Sequence, residues 1–282
     1  MSQRGPLLVL GAATLWGTTG TAQALGPEGI NPETVALVRM VGGSLLLVYS
    51  VSKGTSSPIR GLPRPALIMA VAAMAGSQPL FFGGVERTGV AIGTIVTIGS
   101  GPLLAGALAW LVRREPVTRR WYIATAVSIG GSLVLVSGGE SAGVDGLGLL
   151  LALGAGVAWA VYLVGAKEVF ERADPVYAAG VMFAGAALLL SPTVLLADAS
   201  WMATGRGLAV VIWLAPTTAL SYVLFSRGLE RTRVAVTATL TLAEPVTAAF
   251  LGLLLLDEPA RVTTVVGIGS ILLGLVVLAS ER

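Results

Sequence analysis

The chain contains no cysteine and no histidine, and only 12% of its 282 residues are charged. Without cysteine there can be no disulfide framework, so cysteine usage says nothing about redox compartment. The soft metal ligands, the thiolate nucleophiles and the imidazole bases are all missing together. Soluble domains are about 25% charged, so the scarcity of charge also excludes a comfortable water-soluble fold. What is present is apolar: 55% of residues are hydrophobic and the mean hydropathy is +0.85. A bilayer is the solvent that suits such a chain. The sequence pI near 9.6 would suggest nucleic acid only if the positive residues formed a face or stripe. They lie in short clusters between apolar runs, so no nucleic-acid partner is expected.

Crossing the hydrocarbon takes about 20 apolar residues at 1.5 Å rise each. Ten such runs occur, at roughly 6–25, 32–51, 64–84, 89–112, 120–137, 146–166, 175–196, 207–226, 233–256 and 262–279. The expected fold is an all-α integral membrane protein of ten transmembrane helices. The connections are short and carry turn chemistry such as "GPEGINP" and "SGGESAGVDG". With the N-terminus inside, 14 of the 18 Lys and Arg residues fall on the inner side and only Arg87, Arg206 and Arg261 on the outer; Arg39 lies within a span. Positive residues mark the cytoplasmic side, so both termini are expected there. Ala22-x-Ala24 resembles a signal-peptidase site, but the first run has a partner later in the chain and is expected to be retained.

That partner shows when "LVLGAATLWG" is laid beside "LLALGAGVAWA". Gly11 falls on Gly154 and Trp16 on Trp159, an offset of 143 that also sets Pro102 on Pro245, Glu115 on Glu258 and Pro116 on Pro259. "ERTGVAIGT" from Glu86 matches "ERTRVAVTA" from Glu230 at an offset of 144. Residues 1–141 and 142–282 are therefore read as two copies of one five-helix unit. Five is odd, so the second copy enters the membrane from the opposite side, giving inverted-topology repeats. Carriers built this way bind solute near the midplane, at the repeat interface. The Glu-Pro pairs at 115–116 and 258–259 have a plainer role, because proline and charge end a helix at the headgroup level.

Two five-span halves, the Trp-Gly-type first span, an Arg in the second, and "AEPVTAAFLGLLLLDEP" before a Gly-rich last span resemble the EamA family of the drug/metabolite transporter superfamily. The resemblance covers essentially the whole chain and is most specific over 230–279. The overall pattern is similar to bacterial exporters of amino acids and related metabolites, including the YddG-type aromatic amino-acid exporters. It implies a ten-helix carrier in a bacterial inner membrane, with a central cavity lined mainly by spans 1, 3, 4, 6, 8 and 9. Gly101 stands where Glu244 stands in the second copy, so any role of that carboxylate is not symmetric.

An integral membrane enzyme is the rival of a different class. It would need a nucleophile with its base, or clustered carboxylates for a metal. Ser100 in "GSGP" has no base in view and lacks the nucleophile-elbow pattern. The Gly-x-Gly pairs follow no strand, so no dinucleotide site is expected, and no cofactor or metal either. Small-residue patterns such as Ser128-x3-Ser132 and Ser270-x3-Gly274 suit close helix packing. Spans 5 and 10 accordingly look like scaffold, or the surface of a homodimer if the protein is not a monomer. Trp110, Trp121, Trp201 and Trp213 lie near span ends and fit interfacial anchors.

Polar and aromatic groups within spans are the candidate solute path. These are Trp16 and Gln23 in span 1, Gln78 and Pro79 in span 3, Trp159 and Tyr162 in span 6, and Ser221 and Tyr222 in span 8. Aromatic faces with amide and hydroxyl groups suit an amino acid with a large side chain, held between Trp16, Trp159 and Tyr222. Phosphate or nucleotide-sugar carriers would show Lys or Arg within the cavity-forming spans, and none lies inside the six spans assigned to the cavity beyond the end residues Arg64 and Arg233. No phosphate-binding loop occurs, so transport is expected to be secondary; export follows from the resemblance. A multidrug exporter, the second reading, would present an acidic site to cationic drugs.

Glu244 and Arg39 are the only deep charges. A carboxylate at a helix centre costs about 2.5–3.5 kcal/mol on insertion scales, so Glu244 should have a partner or a proton. It is expected to act mainly as a structural anchor, with Arg39 as candidate partner and Pro245 bending span 9 around the cavity. A proton-coupling site and a ligand for a solute amine are the alternatives.

Overall fold

The computed structural model describes residues 4–54, 61–136, 145–194, 197–257 and 259–279, and among them there are helices and no strands. The helices are α1 (Arg4–Trp16), α2 (Thr18–Ala24), α3 (Pro32–Ser52), α4 (Arg64–Arg113), α5 (Arg119–Val136), α6 (Gly146–Phe170), α7 (Pro175–Val194), α8 (Gly205–Arg231), α9 (Val234–Leu240), α10 (Ala243–Leu255) and α11 (Val262–Ala279). Among the described residues, eight helical segments are long and apolar enough to cross a membrane: Pro32–Ser52, Arg64–Gly89, Ile92–Arg113, Gly146–Phe170, Pro175–Pro192, Gly205–Arg231, Val234–Leu255 and Val262–Ala279. The other two apolar runs are helical too. One is divided into α1 and α2 at Gly17, and α5 opens on Arg119 and Arg120, which dilute its apolar character. Glu258 and the junction at 141–142 lie outside the described residues.

Helix starts follow the local chemistry. The Asn31 side chain accepts from Thr34 N–H just before Pro32, and Asp145 and Thr204 accept in the same way from Leu147 and Gly207. Each satisfies an amide that the first turn leaves without an intrahelical carbonyl, and Pro32 has none to satisfy. Gly89, with φ 82° and ψ 158°, interrupts α4. A Cβ on Gly93 would lie 2.9 Å from the Val85 Cα, whereas eight residues of straight helix would hold them about 12 Å apart. The chain therefore folds back at Gly89, where the positive φ favours glycine. The α4 arms are a helical hairpin and contribute two expected spans.

Large apolar side chains cover the outside: Val262 is 80% exposed, Leu188 74%, and Val48 and Ile68 67% each. Burial from water would be worth about 25 cal/mol per Å², so such a coat suits hydrocarbon. Inside, helices approach over small residues, as expected where lipid supplies no hydrophobic drive between them. Helix α6 lies along both arms of α4, with Gly84 against Ala152, Gly154 against Leu80 and Gly101 against Trp159. Helices α5 and α11 cross at Gly131 and Gly267, with Gly274 on the Ala124 carbonyl, so their small-residue faces are used within the chain.

The close contacts recur. Gly5 meets Arg231 and Thr232, and Gly148 meets Arg87 and Thr88. Gly11 faces Leu224 as Gly154 faces Leu80; Gly228 abuts Val9 as Gly84 abuts Ala152; Gly42 abuts Ala215 as Gly185 abuts Val71. In every case one partner moves on by 143 residues and the other back by 144.

Trp121 and Trp201 are not interfacial anchors. They are 2% and 3% exposed, and their indole N–H groups donate to the Ala235 carbonyl at 2.9 Å and to Thr34 Oγ1 at 2.8 Å. An anchor offers its polar edge to headgroups, and these edges are already spent inside the protein. Trp110 and Trp213 are 55% and 49% exposed, and the Trp213 indole N–H donates to Thr18 Oγ1 at 3.1 Å.

Candidate functional site

Two interrupted helices meet at the centre of the molecule. Proline cannot donate an amide hydrogen bond and its ring clashes with the carbonyl four residues earlier, which for Pro245 is that of Thr241. Helix α9 accordingly ends at Leu240 and α10 starts at Ala243, so the break precedes Pro245, which sits harmlessly in the first turn of α10. Gly17, the break between α1 and α2, rests on this same turn. A Cβ there would stand 2.6 Å from both the Glu244 carbonyl oxygen and the Thr247 Cβ, so the two interruptions are packed against each other.

Beside them lies a cavity of about 230 Å³. Trp16, Trp159, Tyr162, Phe183 and Tyr222 form its aromatic lining. Ring centroids are 5.9 Å apart for Trp16–Trp159, 5.2 Å for Trp16–Tyr222 and 5.4 Å for the stacked Trp159–Tyr162 pair. Rings this close already contact one another. They make a continuous wall, and the expected slot between Trp16, Trp159 and Tyr222 is filled by the rings themselves. The remaining lining is mixed: Arg39 and Met40 from α3, Met74, Ser77 and Gln78 from one arm of α4, Thr97, Ile98, Gly101 and Pro102 from the other, and Thr241, Leu242, Glu244 and Pro245 at the α9–α10 break.

The expected site residues divide accordingly. Trp16, Gln78, Trp159, Tyr162, Tyr222, Arg39, Glu244 and Pro245 share the cavity, while Gln23, Pro79 and Ser221 do not line it. Gln23 lies out along α2 and donates to the Thr19 carbonyl at 3.3 Å. Pro79 is exposed. Ser221 is fully buried behind the wall, where its Oγ accepts the Trp16 indole N–H at 2.8 Å. Spans 2 and 7 also reach the cavity, through Arg39, Met40 and Phe183. A cation therefore lines it after all, and the argument that excluded anionic solutes by the lack of one no longer holds. Met40, Met74, Thr97, Ile98 and Phe183 carried no sequence signal, since apolar or hydroxyl groups on spans are mostly packing; Thr241 and Leu242 could have been found from the proline four and three residues ahead.

Arg39 and Glu244 are both half-buried and both line the cavity. Arg39, the candidate partner, does not pair directly with Glu244. Neither side chain makes a hydrogen bond, or an ion pair within 4.0 Å, among the described residues. The Tyr162 hydroxyl, on a side chain 1% exposed, is also without a partner among them.

Away from the cavity, the ends of the helices are tied by ions. Arg113 bonds Glu115 at 2.9 Å and Glu171 at 2.8 Å, and Lys167 reaches Glu171 at 3.1 Å. The Lys167 ammonium also donates to the Leu229 and Glu230 carbonyls at 2.9 and 2.8 Å, while Glu115 accepts the Val234 N–H at 2.8 Å. Burial pushes the Glu171 carboxyl up, but the bonds from Arg113 and Lys167 outweigh it and hold it below its ordinary value. At the opposite end of α6, the bond from Arg87 holds Asp145 below the usual carboxylate range. A groove of about 540 Å³ between α2, α8 and α10 is almost wholly apolar, with Arg206 its one charge. It lacks the convergent polar groups that orient a solute, so the central cavity is the candidate site.

Apolar helices around a small cavity of mixed aromatic, polar and charged lining are the frame of an integral membrane protein, and the family and relatives make it a transporter and not an enzyme. The chain belongs to the EamA-like transporter family, whose model matches residues 3–137 and again residues 146–280. It is 36% identical to the Uncharacterized transporter YwfM of Bacillus subtilis over 97% of this chain and 93% of that one. It is 29% identical to the threonine/homoserine exporter RhtA of Escherichia coli K12, over 94% of this chain and 88% of RhtA, and equally to that of Salmonella typhimurium LT2, over 98% and 90%. A solved crystal structure, 21% identical, superposes with a TM-score of 0.84 over 99% of each chain, which shows the fold alone.

Proposed function

We propose that the protein is a secondary exporter of amino acids with large or aromatic side chains, working by alternating access. In this reading it comprises ten transmembrane helices, two inverted-topology repeats over 1–141 and 142–282, and lies in a bacterial inner membrane with both termini cytoplasmic. The observation that carries the solute class is the cavity itself, an aromatic wall facing amide, hydroxyl and charged groups within one chain. The paired glycine contacts at offsets of 143 and 144 support the repeat, since one partner comes from each half and the two halves exchange roles. The names of the relatives support export of amino acids.

A second reading is favoured by the same names: a small hydroxylated amino acid, with Ser77, Gln78, Thr97 and Thr241 as its polar surroundings. Multidrug export is less well supported. The cavity volume falls below the roughly 300–1,000 Å³ usual for drug-sized ligands, and Arg39 opposes a cationic drug. Purified protein in liposomes would be assayed for exchange of phenylalanine, threonine, a sugar and methyl viologen. Phenylalanine exchange at least tenfold above protein-free liposomes, and above threonine, is expected. Threonine alone would favour the second reading, and movement of only the sugar or methyl viologen would overturn both.

A further inference from the structure

We propose that Arg39 and Glu244 bind the two charged ends of a zwitterionic α-amino acid, Arg39 taking the carboxylate and Glu244 the ammonium. The inference rests on the amino-acid reading above and deepens it by assigning the recognition groups. Ionisable residues among membrane spans normally pair with each other or with the backbone. These two share one cavity of about 230 Å³, and neither makes an ion pair within 4.0 Å or a hydrogen bond among the described residues. Both are half-buried, and a charge within a span is costly to leave without a partner. A ligand that fits between them would supply both missing partners.

The chemistry selects the ligand. A guanidinium offers a planar fork of donors that matches a carboxylate, and the Glu244 carboxylate accepts from an ammonium. A solute with only a positive charge meets Arg39 unpaired against it, and one with only a negative charge meets Glu244. A molecule with both charges on one carbon satisfies the two residues with no net charge added to the cavity. Its side chain then has the aromatic wall of Trp16, Trp159 and Tyr222 beside it, where the unpartnered Tyr162 hydroxyl is also found. Sites built to pair a polar group reject analogues that lack it far more strongly than apolar pockets reject a missing methylene.

The test is competition in proteoliposomes containing the full chain, using labelled L-phenylalanine, or L-threonine if that is the one carried. The competitors are the matching amino alcohol, which lacks the carboxylate, and the N-acetyl amino acid, which lacks the ammonium. Losing a hydrogen bond to a charged group is worth about tenfold to a hundredfold in affinity. Each analogue is therefore expected to compete at least about tenfold worse than the amino acid. Arg39→Gln should abolish discrimination against the amino alcohol only, and Glu244→Gln discrimination against the N-acetyl compound only. Analogues competing within about twofold of the amino acid in the parent protein would overturn the proposal without needing any variant, as would variants that keep the parent's discrimination. If the parent carries no amino acid but does carry another solute, the reading beneath fails, and this one with it.

Discussion

Gly228 of α8 lies so close to Val9 of α1 that a Cβ on the glycine would stand 3.0 Å from the Val9 amide nitrogen. Backbone cannot yield as a flexible side chain can, so a larger residue must push the helices apart. Gly84 stands in the same relation to Ala152, at 2.8 Å from its nitrogen. Gly228→Val and Gly84→Val should each destabilise by about 1–3 kcal/mol, the usual cost of overpacking. A Cβ on Gly130 or Gly269 would meet no atom within 4 Å, and substituting alanine there should not lower the thermal midpoint in detergent, since alanine is the better helix former. Equal losses at the first pair and none at the second are the expected pattern.

The Trp16–Ser221 bond makes a second prediction. Ser221→Ala leaves a buried indole N–H without its acceptor, costing about 1–3 kcal/mol, and frees the ring that anchors the aromatic wall. Apparent affinity for the carried solute should fall several-fold, and Ser221→Thr, which keeps an oxygen, should restore most of it. Unchanged affinity in Ser221→Ala would mean that the wall is held by ring packing alone.

The helices and the central pairing of aromatics were legible because span length, proline and tryptophan leave strong marks in an apolar sequence. Trp16, Trp159 and Tyr222 could be grouped from the repeat and their depth alone. What could not be read is which faces meet. Arg39 is legible as a charge within a span, but that span is not among those the sequence assigns to the cavity it lines. Sequence carries no azimuth for an apolar helix in which small residues occur on every side. Ser221 has the chemistry of a cavity residue but stands behind Trp16, because a hydroxyl can line a cavity or stand behind the residue that does. The pairing of Arg39 with Glu244 followed from their being the only deep charges, a sound rule for cost but silent on distance.

Glu171 links stability to pH. Its carboxyl is held below the ordinary value of 4.5. Its contribution is therefore complete above about that pH and lost as the pH falls through the lowered value. Glu171 is 39% exposed, so screening limits the effect to about 1 kcal/mol or less. Thermal midpoints measured between pH 6 and pH 3 should fall more gently for Glu171→Gln than for the parent. Parallel curves would show that the Arg113–Glu171–Lys167 cluster contributes nothing net.

The orientation can be tested with the chain's own lack of cysteine, which makes any single introduced thiol a label without background. Asp145 precedes α6 and Glu171 follows it, and 25 helical residues at 1.5 Å each separate them by about 37 Å, more than the roughly 30 Å hydrocarbon core. If α6 spans the membrane, as its length and composition suit, the two positions face opposite sides whatever the absolute orientation. If the orientation proposed from the distribution of Lys and Arg holds, Asp145 lies outside and Glu171 in the cytoplasm. Asp145→Cys should react with an impermeant maleimide on intact cells, and Glu171→Cys only after permeabilisation. Val262 and Trp110, on other spans, extend the test to both halves: Val262→Cys should label from outside and Trp110→Cys from the cytoplasm, each near its helix end. Trp110 and Val262 flank the turn after the fourth span of their respective halves, so if Trp110→Cys and Val262→Cys label from the same side, the halves are not inverted as proposed. If all four positions reverse together, the repeat stands and only the positive-inside assignment fails.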